Sequence, residues 1–182
     1  MLAFIIIIYV IEDYFCHNID TSLPSISDTI KTDYKNKKWR YIIIHHTASL
    51  EDSLENILEL HVKMNNWDDV GYHFLINNGR ILPDGFIEVS RRWRQQNEGA
   101  HTKNRGINKE AIGIALVGNF EIHDPTTAQL NSLVNLIRAL IEEYKIPVEN
   151  IFMHKMLSPT KCPGSKFPFE KIIIIIVNGG NL

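Results

Sequence analysis

Cysteine is scarce in this chain: 182 residues contain two, Cys16 and Cys162. Two thiols cannot build the cross-linked framework of a small secreted scaffold, so an apolar core must hold the fold. Net charge is nearly absent as well. Nineteen basic side chains against 21 acidic ones leave −2, which excludes a global field drawing the protein to nucleic acid or anionic lipid. Long apolar runs are also missing. The run Leu2–Ile11 falls well short of the about 20 residues that a spanning helix needs, so no stable membrane span is expected. It also lacks the basic lead and small-residue cleavage site of an ordinary export signal. A short or degraded export signal is favoured there over a buried strand.

Hydrophobic residues make up 45% and charged residues 22%, enough apolar material for one domain with a real core. Residues 1–37 read as an apolar segment and a polar, irregular lead-in, and residues 38–182 as the compact domain. Trp39–His45 is a buried strand by its β-branched content. Ser49–Asn66 has helical spacing, with Leu54, Ile57, Leu58, His61 and Val62 on one face and Ser53 as cap. Tyr72–Asn77 and Ile81–Val89 are strands joined through Asn77-Asn78-Gly79-Arg80, a hairpin signal. Residues 90–109 are a long polar loop, of the kind that is usually functional or disordered. Ala111–Val117 is a strand, and Asp124 or Thr126 caps a helix that runs to Tyr144. Ile151–Met153 is a short strand. The isoleucine run in Phe169–Val177 favours a strand by propensity, but Pro168 followed by Phe-Glu-Lys marks a helix start, and a helix is expected. The fold class is α/β: one domain with a mixed central β-sheet flanked by helices.

Three side chains suggest chemistry. His45 lies where the first strand ends, His154 follows the last short strand, and Cys162 comes eight positions later in Lys-Cys-Pro-Gly. A catalytic zinc site needs three protein ligands and one open position. Two imidazoles and a thiolate meet that need and leave the ion net positive. Taken singly, His45 also reads as a strand-end histidine with a satisfied hydrogen bond, and Cys162 as a small buried hydrophobe.

The blocks Ile42-Ile43-Ile44-His45-His46-Thr47-Ala48-Ser49, Trp67-Asp68-Asp69-Val70-Gly71-Tyr72-His73-Phe74-Leu75-Ile76, Gly99-Ala100-His101-Thr102, Ile112-Gly113-Ile114 with Val117-Gly118-Asn119-Phe120, and Thr160-Lys161-Cys162-Pro163-Gly164 resemble, in order and spacing, the zinc-dependent N-acetylmuramoyl-L-alanine amidase and peptidoglycan-recognition-protein family. The resemblance covers about residues 38–177. It implies zinc as cofactor, with His45 (not His46), His154 and Cys162 as ligands and Tyr72 as the active-site tyrosine. Thr160 stands where relatives carry Lys or Thr and is a second catalytic candidate. His46, His101 and Arg94 are candidates for substrate binding, whereas His61 and His73 read as core or pocket lining. Ala115 occupies a position where some intracellular relatives place a Glu base, so this chain follows the branch that works through Tyr72 with Thr or Lys.

The implied activity is metal-assisted hydrolysis of the amide between the lactyl group of N-acetylmuramic acid and L-alanine. Peptidoglycan or a muropeptide is the partner, in the periplasm or cell envelope of a bacterium; a cytoplasmic or phage-encoded protein stays open. Three rivals also stay open: a recognition module that binds without cutting, a Cys–His hydrolase using Cys162 as nucleophile, and a domain with a buried structural zinc.

Overall fold

Tyr41–His46 forms β1, whose isoleucines 42–44 are fully buried because elements cover the sheet on both faces. In chain order the other elements are α1 (Ile26–Ile30, before β1), α2 (Leu54–Asn65), β2 (Phe74–Ile76), β3 (Ile87–Val89), α3 (Arg91–Arg94), α4 (Arg105–Glu110), β4 (Ala111–Leu116), α5 (Thr127–Tyr144), β5 (Ile151–Met153), α6 (His154–Leu157) and α7 (Phe169–Asn178). This computed structural model describes residues 25–32, 34, 37–65 and 69–180. The apolar run at residues 2–11, Cys16, Trp67 and the side chain of His61 lie outside the described residues.

The five strands form one sheet in the order β3-β2-β4-β1-β5. Only the β2–β3 pair is antiparallel, with Phe74 opposite Val89. The pairs β1–β4, β1–β5 and β2–β4 are parallel, so the sheet is mixed, as the hairpin and crossover connections predict. Strand alternation divides the core. Ile42, Ile44, Phe74, Ile76, Ile112 and Ile114 face a large cluster with Leu133, Ile137 and Leu140 of α5 and Ile172 and Ile175 of α7. Leu75 and Ala115 face a smaller cluster with Ile57 and Leu54 of α2. His45 and Gly113 have the parity of this second face.

α5 begins at Thr126, whose side chain accepts from Gln129 N–H while the Gln129 side chain accepts from Thr126 N–H. The buried Gln129 amide also donates to the carbonyls of Ile76 at 3.1 Å and Val117 at 2.9 Å. One side chain thus caps the helix and satisfies the open ends of two parallel strands. α7 is a helix despite its isoleucines. Its apolar stripe packs on α5, and burial on one face outweighs β propensity.

Three expectations are corrected. The polar lead-in contains α1, which packs on α5 and accepts at Ile30 O a hydrogen bond from Trp93 Nε1 at 3.3 Å. The long loop at 90–109 contains α3, capped by Ser90, and α4, capped by Asn104. Both are too short for a hydrophobic period to reveal. The predicted strand at Ile81 is a bend with that residue 47% exposed; pairing on this side is confined to Ile87–Val89.

Candidate functional site

The site forms where parallel strands run out. β1 and β5 are adjacent, with Ile44 in register with Met153, so their next residues, His45 and His154, emerge side by side. Their rings lie 4.6 Å apart between centroids. Carboxyl ends of parallel strands are the usual place for ligands in α/β sheets. His46, one step along, has opposite parity and turns its Nδ1 to accept the backbone N–H of Phe120 at 3.2 Å. Parity therefore separates two consecutive histidines into different surroundings.

Cys162 arrives from a loop pinned at several points. Lys155 N–H donates to Cys162 O at 2.8 Å, and Lys166 N–H to Phe120 O at 2.8 Å. Ser165 N–H donates to Glu121 Oε1 at 2.7 Å. Gly164, at φ 120°, lets this loop sit directly on the Phe120–Glu121 backbone, where any Cβ would overlap the Phe120 carbonyl. Cys162 Sγ then lies 3.8 Å from His45 Nδ1 and accepts His46 N–H at 3.3 Å.

Ligand atoms of His45, His154 and Cys162 all fall within 4.8 Å of one another. Tetrahedral zinc with Zn–N of about 2.0–2.1 Å and Zn–S of about 2.3 Å needs ligand separations of about 3.5 Å, close to the 3.8 Å of the His45–Cys162 pair. The donor chemistry also fits. Burial, then the neighbouring His154, holds His45 well below the ordinary histidine value, and burial lowers His154 too. Both imidazoles are therefore neutral and can offer lone pairs. Burial, only partly offset by the His46 N–H, pushes the Cys162 thiol up to about 11, a state that a divalent cation would reverse by stabilising the thiolate. Among the described residues Cys162 is a free thiol.

These groups border a cleft of 340 Å³ that His46, Tyr72 and Thr160 also line. Tyr72 lies against His45, with ring centroids 5.2 Å apart. Burial, reinforced by the charge of Cys162 and Asp52, raises its phenol above the ordinary value, so it stays protonated. Thr160 Oγ1 accepts Cys162 N–H at 3.2 Å. That bond occupies an oxygen lone pair and leaves the hydroxyl proton free to point into the cleft.

Two substrate-binding candidates are placed elsewhere. His101 is 2% exposed and sits beneath His45, at 5.2 Å between centroids, rather than on the cleft surface. Arg94 is exposed on α3 and is not among the cleft-lining residues. The Ser90 cap turns α3 so that Trp93 enters the core, and Arg94 faces away from it. Other basic loop residues serve the scaffold: Arg92 donates to the carbonyls of Val70 and Glu98, and Arg91 faces Asp69 at 3.7 Å. His73 is core, with Nδ1 accepting Gly113 N–H and Nε2 against Asn97 O. Ala48, Gly71 and Ala100 line the cleft without having been singled out; they contribute backbone and small surface, which leave no signal in residue type.

The arrangement agrees with the comparisons to known proteins. Residues 35–165 match the profile of the N-acetylmuramoyl-L-alanine amidase family. Peptidoglycan-recognition protein 2 of Holotrichia diomphalia is 31% identical over 144 residues, spanning 74% of this chain and 72% of that protein. Peptidoglycan-recognition protein SC2 of Drosophila melanogaster is 32% identical over 148 residues, spanning 76% and 75%. Among solved structures, the endolysine N-acetylmuramoyl-L-alanine amidase LysCS of Clostridium intestinale superposes with a TM-score of 0.67 at 32% identity, over 83% of this chain and 97% of that one. The ectodomain complex of the recognition proteins LCa and LCx bound to tracheal cytotoxin superposes at 0.61 with 28% identity, over 79% and 84%. With the sheet, the order of its blocks and most of its length shared, this chain belongs to the N-acetylmuramoyl-L-alanine amidase family.

Proposed function

We propose that the protein is a zinc-dependent amidase that hydrolyses the bond between the lactyl group of N-acetylmuramic acid and L-alanine in peptidoglycan. The observation that carries this reading is the convergence of His45, His154 and Cys162 within 4.8 Å at a cleft that also holds Tyr72 and Thr160. A zinc ion held by those three side chains would supply Lewis acidity, lowering the pKa of a water and polarising the scissile carbonyl. The remaining work falls to the chain itself. The protonated Tyr72 hydroxyl donates to the oxygen on which negative charge develops, the term that usually contributes most. The Thr160 hydroxyl, anchored through Cys162 N–H, orients the attacking water or the peptide. The N–H of His46 directed at Cys162 Sγ favours the thiolate over the thiol. His101 is buried below the cleft and is assigned no proton transfer to substrate.

A nucleophilic Cys162 has less support. Burial holds it as a thiol at about 11, whereas a cysteine nucleophile needs its value depressed. The recognition-module reading is favoured by the names of the Holotrichia and Drosophila relatives and by the tracheal cytotoxin bound to the LCa–LCx complex. It is opposed by the complete donor set. Mass spectrometry of digested peptidoglycan, with metal analysis of the same preparation, separates the readings. The amidase reading expects one zinc per chain and free stem-peptide amines from wild type, and neither from Cys162→Ala. Zinc-loaded protein that binds sacculi and releases no amine overturns it in favour of the module. Cleavage that persists in a zinc chelator overturns it in favour of the Cys–His hydrolase.

A further inference from the structure

Among the described residues, three buried side-chain nitrogens have no hydrogen-bond partner: Nε2 of His45 and both ring nitrogens of His101. Buried polar atoms are nearly always paired, so such a group needs a reason. The two rings are neighbours, 5.2 Å apart between centroids and tilted by 43°. An N–H···N bond of about 2.9–3.0 Å between imidazoles sets their centroids about 5 Å apart. His73, the other histidine ring against His101 at 5.4 Å, has nothing to offer. Its Nδ1 takes Gly113 N–H at 2.9 Å and its Nε2 meets Asn97 O at 3.0 Å.

His45 presents Nδ1 to Cys162 Sγ, so a shared ion would take that nitrogen. A neutral imidazole bound through Nδ1 carries its proton on Nε2. That N–H is a donor facing the interior, and it requires an acceptor there. The His101 ring is held in place to provide one. A Cβ at Gly99 or at Gly113 would overlap it, so two glycines form the slot. The backbone N–H groups of His101 and Thr102 both donate to the Asn108 side chain, at 3.2 and 2.9 Å, which fixes the loop that carries the ring.

We infer that His101 is the positioning residue of the metal site: the two rings are adjacent but not bonded in this structure, and with the ion in place the His101 ring accepts the Nε2–H of His45 and thereby sets that ligand's tautomer and aim. The inference rests on the zinc reading above. Ligand histidines commonly pass their second N–H to a carboxylate or carbonyl, and loss of such a partner costs about 10–100-fold in metal affinity. Here a neutral imidazole fills that place, and a histidine that never reaches the cleft gains a role.

The test is zinc affinity of the full chain, measured by competition with a chromophoric chelator, beside the thermal midpoint of the metal-free protein. His101→Phe keeps the ring and removes the acceptor. It is expected to bind zinc about 10–100-fold more weakly with little change in the metal-free midpoint. His101→Gln restores an acceptor and is expected to recover most of the affinity. The visible bands of the cobalt-loaded protein should shift in His101→Phe and return in His101→Gln, which a merely space-filling role would not produce. NMR of the zinc-loaded wild type, labelled at histidine nitrogen, is independent of any variant's folding. A slowly exchanging His45 Nε2–H coupled to a His101 nitrogen supports the inference, and a rapidly exchanging one overturns it. His101→Phe binding within twofold of wild type overturns the inference and leaves the zinc reading standing. Wild type that binds no zinc overturns both.

Discussion

Tyr72 tests the chemistry one atom at a time. Its hydroxyl is a neutral donor at the cleft, kept protonated by burial. Tyr72→Phe is expected to lower kcat by about 100-fold or more while zinc affinity stays at the wild-type value. Amine release from a defined muropeptide, with metal analysis alongside, reads both; an unchanged kcat removes Tyr72 from the mechanism. His73 makes a different prediction, about stability. Burial holds it at about 3 against an ordinary 6.5. Between those values the unfolded chain binds a proton that the folded chain refuses. Stability from this residue is complete above pH 6.5 and falls by about 1.4 kcal/mol per pH unit as the pH drops toward the folded value. Urea unfolding at several pH values through that window measures the slope, and stability independent of pH there contradicts it. His45 and His46 were separable in the sequence through the family blocks, and strand parity in the structure gives the physical reason. The depth of His101 was not, because its burial depends on where Gly99 and Gly113 lie relative to each other.

At the scale of elements, α5 fastens the sheet and its start can be perturbed cleanly. Thr126 Oγ1 accepts Gln129 N–H at 3.0 Å and donates to Asp84 at 2.7 Å. Thr126→Ala removes both bonds and is expected to cost about 1–2 kcal/mol of stability, with amidase activity per folded molecule unchanged. Thermal unfolding reads it; an unaltered midpoint would mean that Gln129 holds the helix start unaided. The long helices and β1 and β4 were legible because each repeats its pattern over several turns or pleats. α1, α3 and α4 were not, since five, four and six residues are too few to show a period. Their caps at Ser25, Ser90 and Asn104 were the signals available, and such residues are common in loops too. The α7 helix went against isoleucine's strand propensity and was decided by its Pro168 start and its single buried face.

For the whole molecule, the apolar cluster between the sheet and α5/α7 is built without the site residues. Removing zinc is therefore expected to abolish cleavage while leaving the fold in place. At free zinc a hundredfold above Kd, bound metal adds about 2.7 kcal/mol, so the metal-free protein melts at a lower temperature but remains cooperative. Circular dichroism before and after chelation checks this, and loss of the far-ultraviolet signal would instead identify a structural metal. No helix among the described residues is long and apolar enough to cross a membrane.

The chain by itself determined the α/β class and the mixed sheet, because these reside in residue type, spacing and period, and the ordered family blocks it carries named the candidate ligands through resemblance. Only the tertiary structure decided what meets what. It brought His45, His154 and Cys162 within reach of one ion, sank His101 beneath them and left Arg94 on the outer face of a short helix. Those outcomes depend on strand register, on which face a side chain takes and on the space that small residues leave between backbones. None of these is a property of any single stretch of sequence.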